Sequence, residues 1–341
     1  MKAFGDKSLV LLIKLPAALF TSPSRPPLAK TVSIASSIAK ESLISKLKEE
    51  IFPLVVSANS FSVSFKTESL LPQIITSAEV IICGRRDSVL KETEKELAET
   101  TNGKISSFSL DIRDSLAIEE AIDTVFANGG LDGLVNNAAG NFISRTKDLS
   151  PNAFNAIASI VFHGTFNMTN TVGKKWIEQN KPGNILSITT TWVWTGSPFV
   201  VPSAMSKSGI NAMTKSLAVE WGPHNIRLNC IAPGPFPTEG AWSRLSPETE
   251  DNKGALDQSS MSSNPMGRVG EMSELCNLAT FLMADGCDYL TGQTIAIDGA
   301  AYLSAGGTFT SLGKLKDEDW TNIRDTIKKS NEKDKNLRNT K

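Results

Sequence analysis

From about residue 78 onward, short apolar runs alternate with longer amphipathic stretches. AEVIICG (78–84), KISSFSLDI (104–112), LDGLVNN (131–137), NILSITT (184–190), IRLNCIAP (226–233) and QTIAIDG (293–299) read as strands. Most of them are apolar at successive positions, the mark of strands covered on both faces. Between them, SVLKETEKELAETT (88–101), SLAIEEAIDTVFANG (115–129), PNAFNAIASIVFHGTFNMTNTVGKKWIEQ (151–179), a segment opening near Ser203 and SELCNLATFLMAD (273–285) carry helical periodicity. The alternation predicts an α/β fold, a doubly wound parallel sheet with helices on both faces, in a single domain. In such a sheet ligands bind beyond the carboxyl ends of the strands. The post-strand loops CGRRD, DIRD, NNAAGNFIS, TTTWVWTG and APGPF are therefore the places to search for chemistry.

Composition narrows this picture without redirecting it. The chain has 341 residues, 40% hydrophobic and 21% charged, with a net charge of -1. It lacks the basic excess of nucleic-acid binders. There is no apolar run of about eighteen residues to predict a membrane span. Four scattered cysteines and two histidines make no zinc set, and the cysteines read as buried free thiols of a reducing compartment.

Residues 51–310 are expected to form the main domain. Residues 1–50 read as an atypical N-terminal extension and 311–341 as a charged helical tail. Residues 237–270 are polar and read as a flap. The first forty residues carry six lysines and arginines against one acid, Asp6, and are rich in serine. They read as an organellar leader, which makes the mitochondrion the expected compartment, with cytoplasm or peroxisome as alternatives. A disordered or misassigned N-terminus is the competing reading. A secretory signal is disfavoured because Lys14 and Pro16 interrupt SLVLLIKLPAALF.

The motifs NNAAGNFIS, LSPNAF, GNILSITT, FVVPSAMSKSGINAMTKSLAVEWG, RLNCIAPGPFPTEGAWSRLSP and TGQTIAIDGA resemble the short-chain dehydrogenase/reductase superfamily. Within it they resemble the 2,4-dienoyl-CoA reductases. The resemblance covers residues 78 to roughly 330 and implies a Rossmann-like fold, NADP(H), an acyl-CoA substrate and a homotetramer built on the helices at 151–179 and 204–221. It implies hydride delivery to a conjugated dienoyl thioester in the β-oxidation of unsaturated fatty acids, with charge running to the thioester oxygen.

By this resemblance the catalytic set is Asn141, Trp192, Ser203 and Lys207. Ser203 replaces the superfamily's tyrosine, as it does throughout the dienoyl-CoA reductases. Trp192, eleven residues upstream, stands where that family places another tyrosine, so an indole N–H replaces a phenol and cannot serve as an acid near neutral pH. Lys207 is expected on the nicotinamide ribose. Ser203 alternatively reads as a helix N-cap. Cofactor contacts map to Arg85, Asp111, Asn137, Lys207, Pro233, Gly234, Pro235 and Phe236. Substrate contacts map to Arg113, Asn141, Phe142, Ser150 and Arg244. Arg85 and Arg86 suit a 2′-phosphate, which an acid at this place would repel; a surface ion pair is the plain alternative for Arg85.

The glycine-rich phosphate loop of the family is missing from its expected place. Counting back from Arg85 reaches PLVVSANSFSVSFKTESLL (53–71), where PLVV could be the first strand, but serines and phenylalanines replace glycines. Side chains there crowd a pyrophosphate. Either the first fifty to seventy residues are not the domain's native start, or the chain is a noncatalytic homologue that keeps the fold as an acyl-CoA binder or oligomer partner.

Overall fold

The computed structural model of the chain describes residues 9–14, 79–100, 104–236, 264–304 and 315–323, together with 325, 326, 329 and 332. Arg244, the PLVV segment, the serine-rich loop after it and most of the polar 237–270 segment lie outside the described residues.

Seven strands form one sheet: β1 Leu9–Lys14, β2 Glu79–Gly84, β3 Lys104–Ser109, β4 Gly133–Asn136, β5 Gly183–Ile188, β6 Ile226–Pro233 and β7 Thr294–Ile297. Their order is β3-β2-β1-β4-β5-β6-β7. The six strands from β2 onward run parallel, as their crossover helices require. One departure concerns β1. Leu9–Lys14, drawn from the segment read as an N-terminal extension, fills the slot between β2 and β4 and runs antiparallel to both, with Leu9 opposite Gly84 and Val10 opposite Asn136. An apolar run pairs its backbone groups in either direction, so the slot is filled although the strand direction is reversed.

The helices are α1 Asp87–Thr100, α2 Ser115–Ala127, α3 Pro151–Ala158, α4 Thr165–Glu178, α5 Trp192–Thr195, α6 Val201–Glu220, α7 Met272–Met283 and α8 Ala301–Ser304. The stretch 151–179, predicted as one helix, is α3 and α4 joined by a π-helical turn at Ser159–Gly164. Gly164 lies so close to the segment after β3 that an added Cβ would meet Ile112 at 2.6 Å.

Successive strand residues feed opposite faces, which is the two-residue period of a β-strand. Val135, Leu186 and Ile231 join Leu90 and Leu97 of α1 and Leu282 and Met283 of α7 on one face. Leu134, Ile185 and Leu228 join Ile118 and Ile122 of α2, Val172 and Trp176 of α4, and Ala218 of α6 on the other. Trp176 is fully buried, and its indole N–H donates to the carbonyl of Leu131 at 2.7 Å. The buried donor is thereby satisfied, so the ring's full apolar area stabilises the layer. All four cysteines are free, and three of them are buried. Among the described residues no helix is long and apolar enough to cross a membrane, and no His, Cys, Asp or Glu cluster could hold a metal ion.

Candidate active site

The segments that follow the carboxyl ends of β4 and β5 carry all four predicted catalytic residues, and the end of β6 with the loop after it carries the predicted Pro233 to Phe236. At the end of β4, Asn136 is buried and donates its amide to Thr169 Oγ1 at 2.9 Å and to Ser187 Oγ at 3.4 Å, which ties β4 to α4 and β5. Its Oδ1 has no partner among the described residues. Asn137 and the chain through Gly140 continue into Asn141, half-buried, whose Oδ1 accepts the backbone N–H of Phe142 at 2.9 Å. Only an oxygen can accept that N–H, so the other side-chain atom of Asn141 is the NH2 group. Asn141 is thus poised as a donor, the polarity an oxyanion needs. Phe142 packs against the small cluster of Ile157, Val161, Ile210 and Cys230. Ser150 is exposed, and its hydroxyl oxygen accepts Ala153 N at 3.1 Å as the N-cap of α3.

After β5 the chain forms the single turn of α5, opened by the half-buried Trp192. It then enters α6 through the cap residue Val200. Ser203 is therefore not the N-cap of its helix. It lies in the first turn, 5% exposed, with its backbone N–H donating to Val200 O at 3.0 Å. Proline at the start of α6, with its fixed φ and missing N–H, moves the helix start ahead of the serine.

Lys207 follows one turn later and is buried at 6% exposure. Its ammonium donates to the carbonyl of Ile188, the last residue of β5. Burial strips this cation of water and pulls its pKa down from 10.5 to about 8, against a smaller opposing influence from Cys230. Cys230 itself is buried beside Thr214 Oγ1 at 3.1 Å, and burial pushes its thiol up. Nothing in the sequence motif marks Cys230 as Lys207's neighbour; it is one apolar residue in a strand.

The loop after β6 carries the predicted Pro233, Gly234, Pro235 and Phe236. Gly234 N donates to Ile297 O at 3.0 Å, and an added Cβ at Gly234 would meet Asp298 at 2.5 Å, so only glycine lets the ends of β6 and β7 approach this closely. Phe236 packs on Gly270. Pro235, Phe236, Asn264, Gly270 and Asp298 line a cavity of about 90 Å³ beside this loop. Asn264 donates to Asp298 O at 2.9 Å. The Asp298 carboxylate accepts Ala300 N at 2.9 Å and Tyr302 N at 2.8 Å. Asp298 and Asn264 were not singled out by sequence, although Asp298 sits in the quoted TGQTIAIDGA.

Arg85, Asp111 and Arg113 lie at the other end of the edge, after β2 and β3. Asp111 accepts two contacts from Arg113 Nε at 2.9 Å, a third from Arg113 Nη2, and a longer approach from Arg85 at 3.7 Å. Burial of the carboxyl opposes its ionisation, but the hydrogen bonds and charge of Arg113, then of Arg85, outweigh this and hold Asp111 below the usual carboxylate range. Burial lowers the pKa of Arg85, which Asp111 partly offsets. Two guanidiniums on one carboxylate leave this corner cationic. Arg113, mapped to substrate by resemblance, shares its carboxylate with the arginine mapped to cofactor.

A doubly wound sheet whose carboxyl edge carries a buried lysine one turn beyond a serine, with an asparagine donor on the neighbouring loop, defines a short-chain dehydrogenase. The chain belongs to the short-chain dehydrogenase/reductase family, and the profile described as enoyl-(acyl carrier protein) reductase matches residues 75–300. It is 44% identical over 225 residues to "Uncharacterized oxidoreductase F53C11.3" of Caenorhabditis elegans, covering 65% of this chain and 71% of that protein. It is 42% identical over 224 residues to "Probable 2,4-dienoyl-CoA reductase decr-1.2 [(3E)-enoyl-CoA-producing]" of the same organism, covering 65% and 72%. A zebrafish relative, "Peroxisomal 2,4-dienoyl-CoA reductase [(3E)-enoyl-CoA-producing]", is 33% identical over 67% of this chain and 74% of its own. Among solved structures, a short chain dehydrogenase from Bacillus anthracis superposes with a TM-score of 0.58 at 37% identity, over 67% of this chain and 87% of that one. A gluconate 5-dehydrogenase from Burkholderia cenocepacia, solved with NADP and tartrate, gives 0.60 at 26% identity, over 66% and 86%.

Proposed function

We propose that this chain is an NADPH-dependent reductase of 2,4-dienoyl-CoA thioesters, yielding enoyl-CoA in the degradation of unsaturated fatty acids. The observation that carries the reading is a buried serine, Ser203, one turn before a buried lysine, Lys207, where a carbonyl reductase needs an acid. Reduction at a carbonyl carbon leaves an alkoxide that a nearby acid must protonate, and a serine hydroxyl is too weak an acid for that role. Conjugate reduction asks less. The charge arrives at a remote thioester oxygen and needs only donors placed there before a proton reaches carbon.

The residues fit the cofactor in two respects. Lys207 is a desolvated ammonium whose hydrogen-bond partner among the described residues is one carbonyl, Ile188 O; ribose hydroxyls would complete its shell. Arg85, with Arg86 beside it and Asp111 alongside, offers a cationic corner for a 2′-phosphate. When bound, the reduced nicotinamide supplies the hydride.

The protein's own residues would do the rest. Asn141 presents its amide N–H to the thioester oxygen, because its carbonyl is already held by Phe142 N. Lys207 holds positive charge near the reacting centre. Trp192, opening the single turn after β5, offers one indole donor. Ser203 supplies a small hydroxyl that leaves room for the acyl thioester. Phe142, Ser150, Arg113 and Arg244 are read as substrate contacts, and Pro233 to Phe236 as the wall of the nicotinamide end. A homotetramer through α3, α4 and α6 is supported by apolar residues exposed on α4, α6 and the π turn before α4, among them Phe162, Phe166, Met205 and Val219.

A second reading has its own support. With an indole at Trp192 in place of the family's phenol, the chain can hold acyl-CoA without turning it over. NADPH titration followed by turnover of a dienoyl-CoA decides between them. No cofactor binding at millimolar NADPH overturns the enzyme reading. Cofactor binding with negligible turnover, restored by Trp192→Tyr, makes the indole the only block to catalysis.

A further inference from the structure

Polarity is segregated along the carboxyl edge of the sheet. The guanidiniums of Arg85 and Arg113 lie after β2 and β3, at one end. From the middle of the sheet towards its other end, after β4 and β5, large apolar side chains stand exposed: Ile143 at 44%, Trp194 at 41% and Phe199 at 54%. Trp194 stacks on Tyr302, with ring centroids 4.8 Å apart and planes inclined by 23°. Trp194 comes from α5, just past β5, and Tyr302 from α8, just past β7. The stack therefore joins the segments on either side of β6, whose own loop begins at Pro233.

These side chains are held on a built scaffold rather than on loose ends. The backbone N–H of Tyr302 is fixed by the buried Asp298 carboxylate at 2.8 Å. Ala300, two residues before it, sits at a left-handed φ of 66° with its N–H on the same carboxylate. Phe199 also adopts a left-handed φ, 64°, which is costly for a bulky residue and persists only where the surroundings impose it. One contact that holds this segment is Ser144 N donating to Phe199 O at 2.8 Å. That bond ties the Asn141 loop to the α5–α6 loop. Backbone strain thus presents an aromatic ring to solvent on a loop bonded to the segment that carries Asn141.

We propose that the Trp194–Tyr302 stack, with Phe199 and Ile143, is the apolar mouth that receives the distal part of the acyl tail and sets the chain-length preference. The proposal deepens the reductase reading and rests on it for the identity of the thioester. The polar end of the edge suits phosphates, and this end suits a hydrocarbon. The tail of a long acyl chain would run out past Asn141 between Phe199 and the stack, while a short chain would end before reaching them. Tyr302 contributes its ring face to this wall; the hydroxyl is not required.

The experiment compares kcat/KM for hexadienoyl-CoA and decadienoyl-CoA in wild type, Trp194→Ala, Tyr302→Ala, Tyr302→Phe and the double alanine variant. Wild type should favour the longer substrate. Each single alanine should cut that preference by about tenfold, the scale of losing contact with a methylene or two in an apolar pocket. The double variant should lose little more, because either truncation breaks the stack. Tyr302→Phe should keep the preference, and its folded far-ultraviolet spectrum controls for misfolding. An unchanged preference in both alanine variants, or an equal loss for both substrates, overturns the mouth.

Calorimetric titration with decanoyl-CoA and butyryl-CoA separates the two levels of the argument. If wild type reduces no dienoyl-CoA yet binds decanoyl-CoA more tightly, and Tyr302→Ala removes that difference, the reaction is wrong and the mouth stands. If wild type binds both thioesters equally, or neither, the mouth is wrong whatever the reaction.

Discussion

Lys207 should destabilise the folded apo protein at neutral pH, and replacing it with methionine should stabilise that protein. The folded chain holds the lysine's proton less tightly than the unfolded chain does, with a pKa that falls from 10.5 to about 8 because the ammonium is buried. At about 1.4 kcal/mol per pH unit, that fall costs on the order of 3 kcal/mol wherever both states are charged. Below pH about 8 the full cost is present. As pH rises from there towards 10.5 the unfolded chain binds more protons than the folded one, so folded stability grows and the cost disappears. Lys207→Met removes the charge at near-constant volume but leaves the Ile188 carbonyl without its donor, a loss of about 1 kcal/mol that does not vary with pH. The variant should therefore exceed wild type by about 2 kcal/mol at pH 7, and this advantage should vanish by about pH 10. Urea denaturation of the cofactor-free proteins at several pH values measures it, since other titrations cancel in the difference. A variant less stable than wild type at pH 7, or a difference that stays flat with pH, would refute the reasoning. The same variant should lose NADPH affinity, so stability gained here is cofactor binding lost.

Three further outcomes follow from the site and the core. Asn141→Ala should lower kcat by about a hundred- to a thousandfold, the usual loss for one oxyanion donor, with little change in NADPH affinity; an intact kcat would remove Asn141 from the oxyanion site. Arg85→Ala should raise the KM for NADPH far more than that for NADH and flatten its dependence on salt, and equal effects on both cofactors would mean that the 2′-phosphate is read elsewhere. Trp176→Ala should cost about 3–5 kcal/mol in chemical denaturation, because the fully buried ring leaves a cavity and orphans the carbonyl of Leu131. On compartment, locating the untagged full chain by immunofluorescence tests the mitochondrial expectation against the peroxisome, the compartment named for the zebrafish relative.

Much of the layered architecture was legible in the chain. The strands β2 and β4 to β7 coincide with the apolar runs, since a strand buried on both faces has little freedom to be polar. The helices between them follow from their periodicity, and the position of Lys207 one turn beyond Ser203 follows from spacing alone. Local structure limited the reading at two points. Val200 rather than a polar residue caps α6, because Pro202 starts the helix early, and the 151–179 helix carries a π turn where Gly164 presses on Ile112.

What spacing could not reach depends on groups far apart in sequence. The antiparallel direction of β1 is chosen by its pairing with two strands more than sixty residues away, and an apolar hexapeptide is compatible with either direction. The burial that lowers the pKa of Lys207 comes from the whole layer around α6. The sharing of Asp111 between Arg85 and Arg113, and the stacking of Trp194 on Tyr302, arise where post-strand loops converge at one edge of the sheet. Periodicity is a local property and marks which residues must be inside. Electrostatics and aromatic contacts depend on distances that exist only once the sheet has assembled, and so the lowered pKa of the lysine and the stacking of Trp194 on Tyr302 were decided by tertiary structure alone.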